Sequence, residues 1–158
     1  MSVLELAYKA IKDLSESSAQ VKLLHSIILT EAKINNDLAS AILTIFPSSK
    51  DIDLSLLSQF ETSTFDLMTT FGFTYEKLFE DRKAINISLI FEDSEEIDSS
   101  KIENKSNAEL YNFYIRKSII LKKLSKSGSV LNSSINLKTR VKNIQLATKL
   151  LIKKSKEV

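Results

Sequence analysis

The sequence has no cysteine and no tryptophan, and its 158 residues include one histidine, one proline and two glycines. Without cysteine there is no disulfide, thiolate nucleophile or thiolate metal ligand, which suits a reducing compartment. The lone histidine, His25, excludes His-rich metal sites and two-histidine mechanisms. It stands at the margin of a helical apolar face and reads as a packing residue. Gly72 and Gly128 are too far apart to form a Walker or dinucleotide loop, in which closely spaced glycines let backbone amides approach phosphate. Together with Pro47 they are also too few to punctuate an all-β fold, so the shortage of breakers predicts long helices.

Long apolar runs are missing too. The longest uncharged stretch, Leu38 to Ser49, has 12 residues against the roughly 20 that a spanning helix needs. Glu5 falls where a signal peptide would carry its apolar core. We therefore expect a soluble, untargeted, cytoplasmic protein. Catalytic signatures are equally scarce. Lys22 occupies the place of Glu in a Glu-x-x-His di-metal motif ending at His25, and no serine precedes a lysine by three residues. Asp51, Asp53 and Ser55 imitate the start of a calcium loop, but Leu56 stands where that loop needs glycine and Thr62 where it needs the bidentate glutamate. Glu76 and Glu80 share a helical face with no device to split their pKa values. The expectation is a protein that is not an enzyme and uses no cofactor or metal.

What the chain does have is polarity of charge. Residues 1–106 carry 10 Lys and Arg against 18 Asp and Glu, whereas residues 107–158 carry 12 against 2. Only three of the cations are arginine: Arg82, Arg116 and Arg140. Lysine abundance also follows from AT-rich codon usage, so the informative quantity is where the lysines stand rather than how many there are.

Helical periodicity runs through most of the chain. Val3, Ala7, Ala10 and Leu14, widened by Leu4 and Ile11, predict a first amphipathic helix. Ser17 and Gln20 make a capping-box pattern opening a second through Leu23, Leu24, Ile27, Ile28 and Ile34, antiparallel to the first. Asn35 and Asn36 offer an N-cap to a third helix, from Asp37 through Leu38, Ala41, Ile42 and Ile45, which Pro47 ends. A short piece through Leu54, Leu57 and Phe60 follows, then a helix capped by Ser63 and Asp66 and stopped by Gly72. Residues 85–91 fit both a helix and an alternating strand, and we favour helix because a lone strand has no partner. The chain thus reads as one all-α domain over residues 1–158, a bundle of six or seven helices. Its parts are an acidic helical part (1–91), an acidic Ser-rich linker or loop (92–106) and a basic helical hairpin (107–158) that turns at 125–129.

In the hairpin, Leu110, Phe113, Tyr114, Ile120, Leu121 and Leu124 share one sector, and Tyr111, Ile115 and Ile119 cover a second. That leaves only Glu109, Asn112, Arg116 and Lys123 for water, so this helix must be buried on nearly every side. Lys117 falls inside the apolar sector and is expected to snorkel to its edge or meet a carboxylate of the acidic half. Tyr111, Phe113 and Tyr114 beside Arg116 and Lys117 resemble a base-stacking platform, but aromatics at helical spacing read first as core.

The last helix carries the clearest signal. Leu137, Val141, Ile144, Thr148 and Leu151 form a heptad-spaced seam, and Lys138, Lys142, Gln145, Lys149 and Lys153 line the other side without an intervening acid. Like charges four apart cost a helix a few tenths of a kcal/mol per pair. A plain solvated face, or one covered by 92–106, accounts for such a row. So does a polyanion, because ammonium groups about 5–6 Å apart can follow a phosphate backbone. An acidic protein surface or an anionic membrane also fits, the membrane least, for want of an aromatic belt. The expectation is a binding protein whose Lys138, Lys142, Lys149 and Lys153, helped by Lys122, Lys123 and Lys126 near the hairpin turn, engage a nucleic-acid backbone without sequence specificity. The alternative is a protein–protein adaptor or homo-oligomer that matches acidic surface to basic.

Overall fold

Three long helices carry the structure, a computed structural model described here over residues 3–13, 17–74, 78–79, 102, 105–127 and 137–156. In chain order the elements are α1 (Val3–Lys12), α2 (Ser17–Ile45), α3 (Leu54–Leu57), α4 (Ser63–Phe71), α5 (Asn107–Ser127) and α6 (Leu137–Lys156). No strand occurs among the described residues, and the all-α bundle with a long C-terminal hairpin is what the scarcity of breakers implied. At 1.5 Å per residue α2 is about 43 Å long, and α5 and α6 are each about 30 Å.

The interior divides into two apolar clusters along these rods. In one, Leu24, Ile28 and Ala32 of α2 meet Leu110, Tyr111 and Tyr114 of α5 and Ala147 and Leu151 of α6, with Ile11 of α1 and Leu67 and Met68 of α4. In the other, Ala39 and Ile42 of α2 meet Leu121 of α5 and Leu137, Val141 and Ile144 of α6, closed by Leu57 and Phe60 from the α3 segment. Early α2 and early α5 therefore lie beside late α6, so α6 runs antiparallel to both. The heptad seam of α6 is buried from Leu137 to Leu151, as its spacing requires.

A polar layer lies between the clusters and accounts for the largest departure from the sequence reading. Asn35 and Asn36 do not open a new helix, because α2 continues through them to Ile45. The Asn35 amide donates to the Glu61 carbonyl (2.9 Å) while its oxygen accepts from the Glu61 N–H (2.7 Å). Asn36 donates to the Gln145 carbonyl (2.9 Å) and to Thr148 Oγ1 (3.1 Å) on α6. An asparagine within a helix costs up to about 0.7 kcal/mol relative to alanine, and each net hydrogen bond returns about 1 kcal/mol. Four such bonds outweigh two unfavourable propensities, and the cap signature gives way to a tertiary role.

Local signals elsewhere set the helix ends. Ser17 opens α2, and Gln20 donates from Nε2 to the Ile11 carbonyl in the last turn of α1 (3.1 Å). Ile11 is the buried anchor of α1, whereas Ala10, assigned to the apolar face, is exposed. Asp53 caps α3 by accepting from the Ser55 N–H (3.0 Å) and hydroxyl (2.8 Å), which gives the apparent calcium-loop residues an ordinary use. Gly72, at φ +67°, ends α4 with the Gly72 N–H on the Thr69 carbonyl and the Phe73 N–H on the Met68 carbonyl, a Schellman closure sealed by buried Met68 and Phe73. α5 opens at Ser106, whose Oγ accepts from the Glu109 N–H and donates to the Glu109 carboxylate, both at 3.2 Å.

One expectation for α5 needs correction, and one of the two alternatives for Lys117 falls away. Glu109 and Asn112 were assigned to water, but they are only 8 % and 3 % exposed; of that strip Arg116 and Lys123 alone face solvent. Lys117 does not reach the edge: it is 1 % exposed, with its ammonium 5.3 Å from the Phe113 ring centroid. Lysine stems pack well against aromatic faces, and the ring supplies a cation–π contact in place of bulk water. The helix or strand alternative at 85–91 and most of the acidic 92–106 segment lie outside the described residues.

Candidate functional site

The row of cations on α6 emerges opposite its buried arc. Lys149 and Lys153 are exposed, Lys138 and Lys142 are half-buried, and exposed Lys156 continues the row. From Lys138 to Lys153 the rise is about 22 Å. Among the described residues the one ion pair joins Lys105 to Glu109 at 3.9 Å, so no described carboxylate pairs with Lys138, Lys149 or Lys153.

Gln145, the one amide in the row, has a structural role. Its Nε2 donates to Ser40 Oγ of α2 (3.0 Å), and the backbone carbonyl of the same residue accepts from Asn36 (2.9 Å). The row is therefore two pairs of lysines on either side of a joint to α2. Because that joint fixes α6 at mid-height, the cations project from a braced rod.

The helper lysines do not all join this ridge. Antiparallel packing brings the end of α5 to the beginning of α6, so Lys122, Lys123 and Lys126 share the Lys138 end of the hairpin. Lys123 and Lys126 are exposed there. Lys122 instead reaches across to Thr62, with Nζ 3.4 Å from Oγ1, and supports the entrance to α4. The suspected stacking platform is interior: Tyr111, Phe113 and Tyr114 are all buried, and the first and last of these cross edge to face at 5.5 Å. His25 packs edge-on against Phe79 at 5.4 Å, and burial pulls its pKa below the usual 6.5.

One strongly perturbed carboxyl group was not among the residues the sequence singled out. Glu31, 5 % exposed, accepts from the Thr64 N–H at Oε2 (3.0 Å) and from the Thr64 hydroxyl at Oε1 (2.5 Å). It supplies the N-terminal partner for α4 that Thr62 does not, since Thr62 makes no side-chain cap bond. The Thr64 hydroxyl lies 2.7 Å from that of Tyr111, and the nearby Tyr114 hydroxyl is buried without a hydrogen-bond partner. Removal from water pushes the Glu31 pKa up to about 7, the two Thr64 bonds oppose this, Glu61 adds to it and Lys122 reduces it. Tyr114 is pushed well upward by burial, then by Glu31 and Tyr111. A signal for Glu31 existed in the sequence: it interrupts the apolar row Leu24, Ile28, Ala39, Ile42 at helical spacing, where a carboxylate must find internal donors. Both carboxylate oxygens are committed to Thr64, so the cluster works as a clasp between α2 and α4.

No group of three or more His, Asp or Glu that could hold a metal ion occurs among the described residues, nor any helix long and apolar enough to cross a membrane. We found no match to this chain among protein families, curated proteins or solved structures.

Proposed function

We propose that this protein is a non-enzymatic binding protein whose α6 ridge of Lys138, Lys142, Lys149 and Lys153 engages the backbone of a nucleic acid without reading its sequence. The observation that carries the reading is the division of α6 into a buried seam and a lysine row on which Lys149 and Lys153 are exposed, with no acid within the row. Ammonium groups act as point charges and lack the planar fork that recognises guanine edges, which supports contact with phosphate rather than with bases. Reversing Lys138, Lys149 and Lys153 to Glu should abolish binding to arbitrary DNA or RNA while leaving helicity intact, and wild-type affinity should fall steeply with salt. Unchanged affinity in that variant refutes the proposal. A raised nucleic-acid absorbance ratio in protein purified without a high-salt wash would support it.

One observation favours the adaptor or homo-oligomer reading. The outer side of α2 leaves Ile34 48 % and Ile45 64 % exposed, apolar surface that a partner chain would cover. Self-association that is lost at high salt, measured by sedimentation without added nucleic acid, would support assembly instead.

A further inference from the structure

The cationic surface is as informative for what it lacks as for what it carries. Tyr111, Phe113 and Tyr114, the aromatics of the basic hairpin, are sealed in the core. Arg116 lies over the Phe65 ring, 5.0 Å from its centroid, and Arg140 sits on the side of α6 turned away from the lysines. Among the described residues the ridge thus offers ammonium groups alone, with no ring on which an unpaired base could stack and no guanidinium to hold one. Proteins that take single strands without sequence preference combine positive charge with such rings. A ridge of charge alone responds to charge density, and that is greatest along a double helix, where two strands contribute phosphates and the bases already stack on each other.

The surface also extends onto α2. Asn36 and Ser40 bond across to Thr148 and Gln145 and so mark the edge of α2 that adjoins the ridge. Lys33, one turn before Asn36, is exposed. Since α2 and α6 run antiparallel, it stands level with the Lys149–Lys153 half of the ridge.

We infer that the partner of this ridge is double-helical nucleic acid, held through the phosphates by the four α6 lysines with Lys33 as a fifth contact on α2. This rests on the polyanion reading proposed above and narrows it. Five contacts give a slope of log affinity against log salt of about −4.5 on a duplex and about −3.5 on a single strand. Taking equal affinities at 1 M salt, the duplex is preferred about twentyfold at 50 mM and about fivefold at 200 mM. DNA and RNA duplexes should bind within about threefold of each other, because neither the 2′-hydroxyl nor a base edge is read.

The test is fluorescence anisotropy of the full-length protein with a random-sequence DNA duplex of two helical turns, the matching RNA duplex and one of the DNA strands alone, over a salt series. Lys33→Gln should flatten the duplex slope by about 0.9, and K149Q/K153Q by about twice that; these exposed positions leave the fold intact, as circular dichroism would verify. A single strand bound as tightly as the duplex at low salt overturns the inference while leaving the polyanion reading standing. No binding to any of the three overturns both, and an unchanged slope in Lys33→Gln removes α2 from the surface.

Discussion

Replacing Glu31 with Gln should make the stability of this protein less dependent on pH, in a direction opposite to that of ordinary surface carboxylates. Burial raises the Glu31 pKa from 4.5 to about 7 in the folded chain, so folding takes up a proton between those values. The contribution is complete below pH 4.5 and is lost as pH rises through 7. The full difference corresponds to roughly 3 kcal/mol, of which about 2 kcal/mol falls between pH 5.5 and pH 8. Glutamine is nearly isosteric with the protonated carboxyl and offers one donor and one acceptor, so near pH 5.5 the variant should resemble the parent. At pH 8 it should be the more stable by about 2 kcal/mol, less whatever the charge-assisted bonds from Thr64 contribute. His25 works against this trend, because its lowered pKa gives stability that is present above pH 6.5 and lost as pH falls. His25 is present in both proteins, so its contribution cancels when parent and variant are compared at each pH. Urea unfolding followed by far-ultraviolet circular dichroism at the two pH values measures the quantity directly. A parent-to-variant difference that is the same at pH 5.5 and pH 8 would refute the argument that Glu31 is held in a water-poor clasp.

Two further substitutions probe the same interior. Tyr114→Phe removes a buried hydroxyl that has no hydrogen-bond partner, so it should leave stability unchanged or raise it by about 1 kcal/mol, whereas Tyr111→Phe, which strips a partner from Thr64, should cost about 1 kcal/mol; equal losses in urea unfolding would contradict this. Gly72→Ala should cost about 1 kcal/mol although a Cβ there meets nothing within 4 Å, because the penalty is conformational, from φ +67°; Gly72→Asn should recover part of it, and a thermal midpoint unaffected by alanine would count against a left-handed cap.

The elements that could be read from the sequence are those set by neighbours within a turn or two. Pro47 after α2 and Gly72 after α4 each act through a steric or capping effect on adjacent backbone, and each stands where its chemistry places it. The seam of α6 was readable for the same reason, since heptad spacing alone fixes which side turns inward. Asn35 and Asn36 were misread because their partners are distant: Glu61 lies 26 residues away and Thr148 112. A local rule assigns such residues to a cap, and only the packed bundle reveals the internal bonds that make them tolerable within a helix. Glu109 fails in the same way, a carboxylate given to solvent by its wheel position and taken out of it by its capping hydroxyl and Lys105. Of the basic residues, the α6 row follows from periodicity, but the separate engagement of Lys122 with Thr62 depends on how the α3–α4 segment crosses α5.

The polar layer and the lysine ridge are connected by register. Successive residues of a helix are rotated by about 100°, so turning α6 by one position would bring Lys149 to the place of Thr148, against α2. An apolar seam resists that turn only in proportion to the area it buries, and leucine, valine and isoleucine substitute for one another at modest cost. Directional bonds discriminate more sharply: Asn36 to Gln145 and Thr148, and Gln145 to Ser40, are all lost together if α6 rotates, leaving several polar groups between two apolar clusters without partners. The asparagine that is a poor choice for a helix and the glutamine that interrupts a row of lysines are thus the residues that hold the ridge outward. On the polyanion reading proposed above, the spacing of its charges would be set before a partner arrives, and the ordering left to binding would be confined to the lysine side chains themselves.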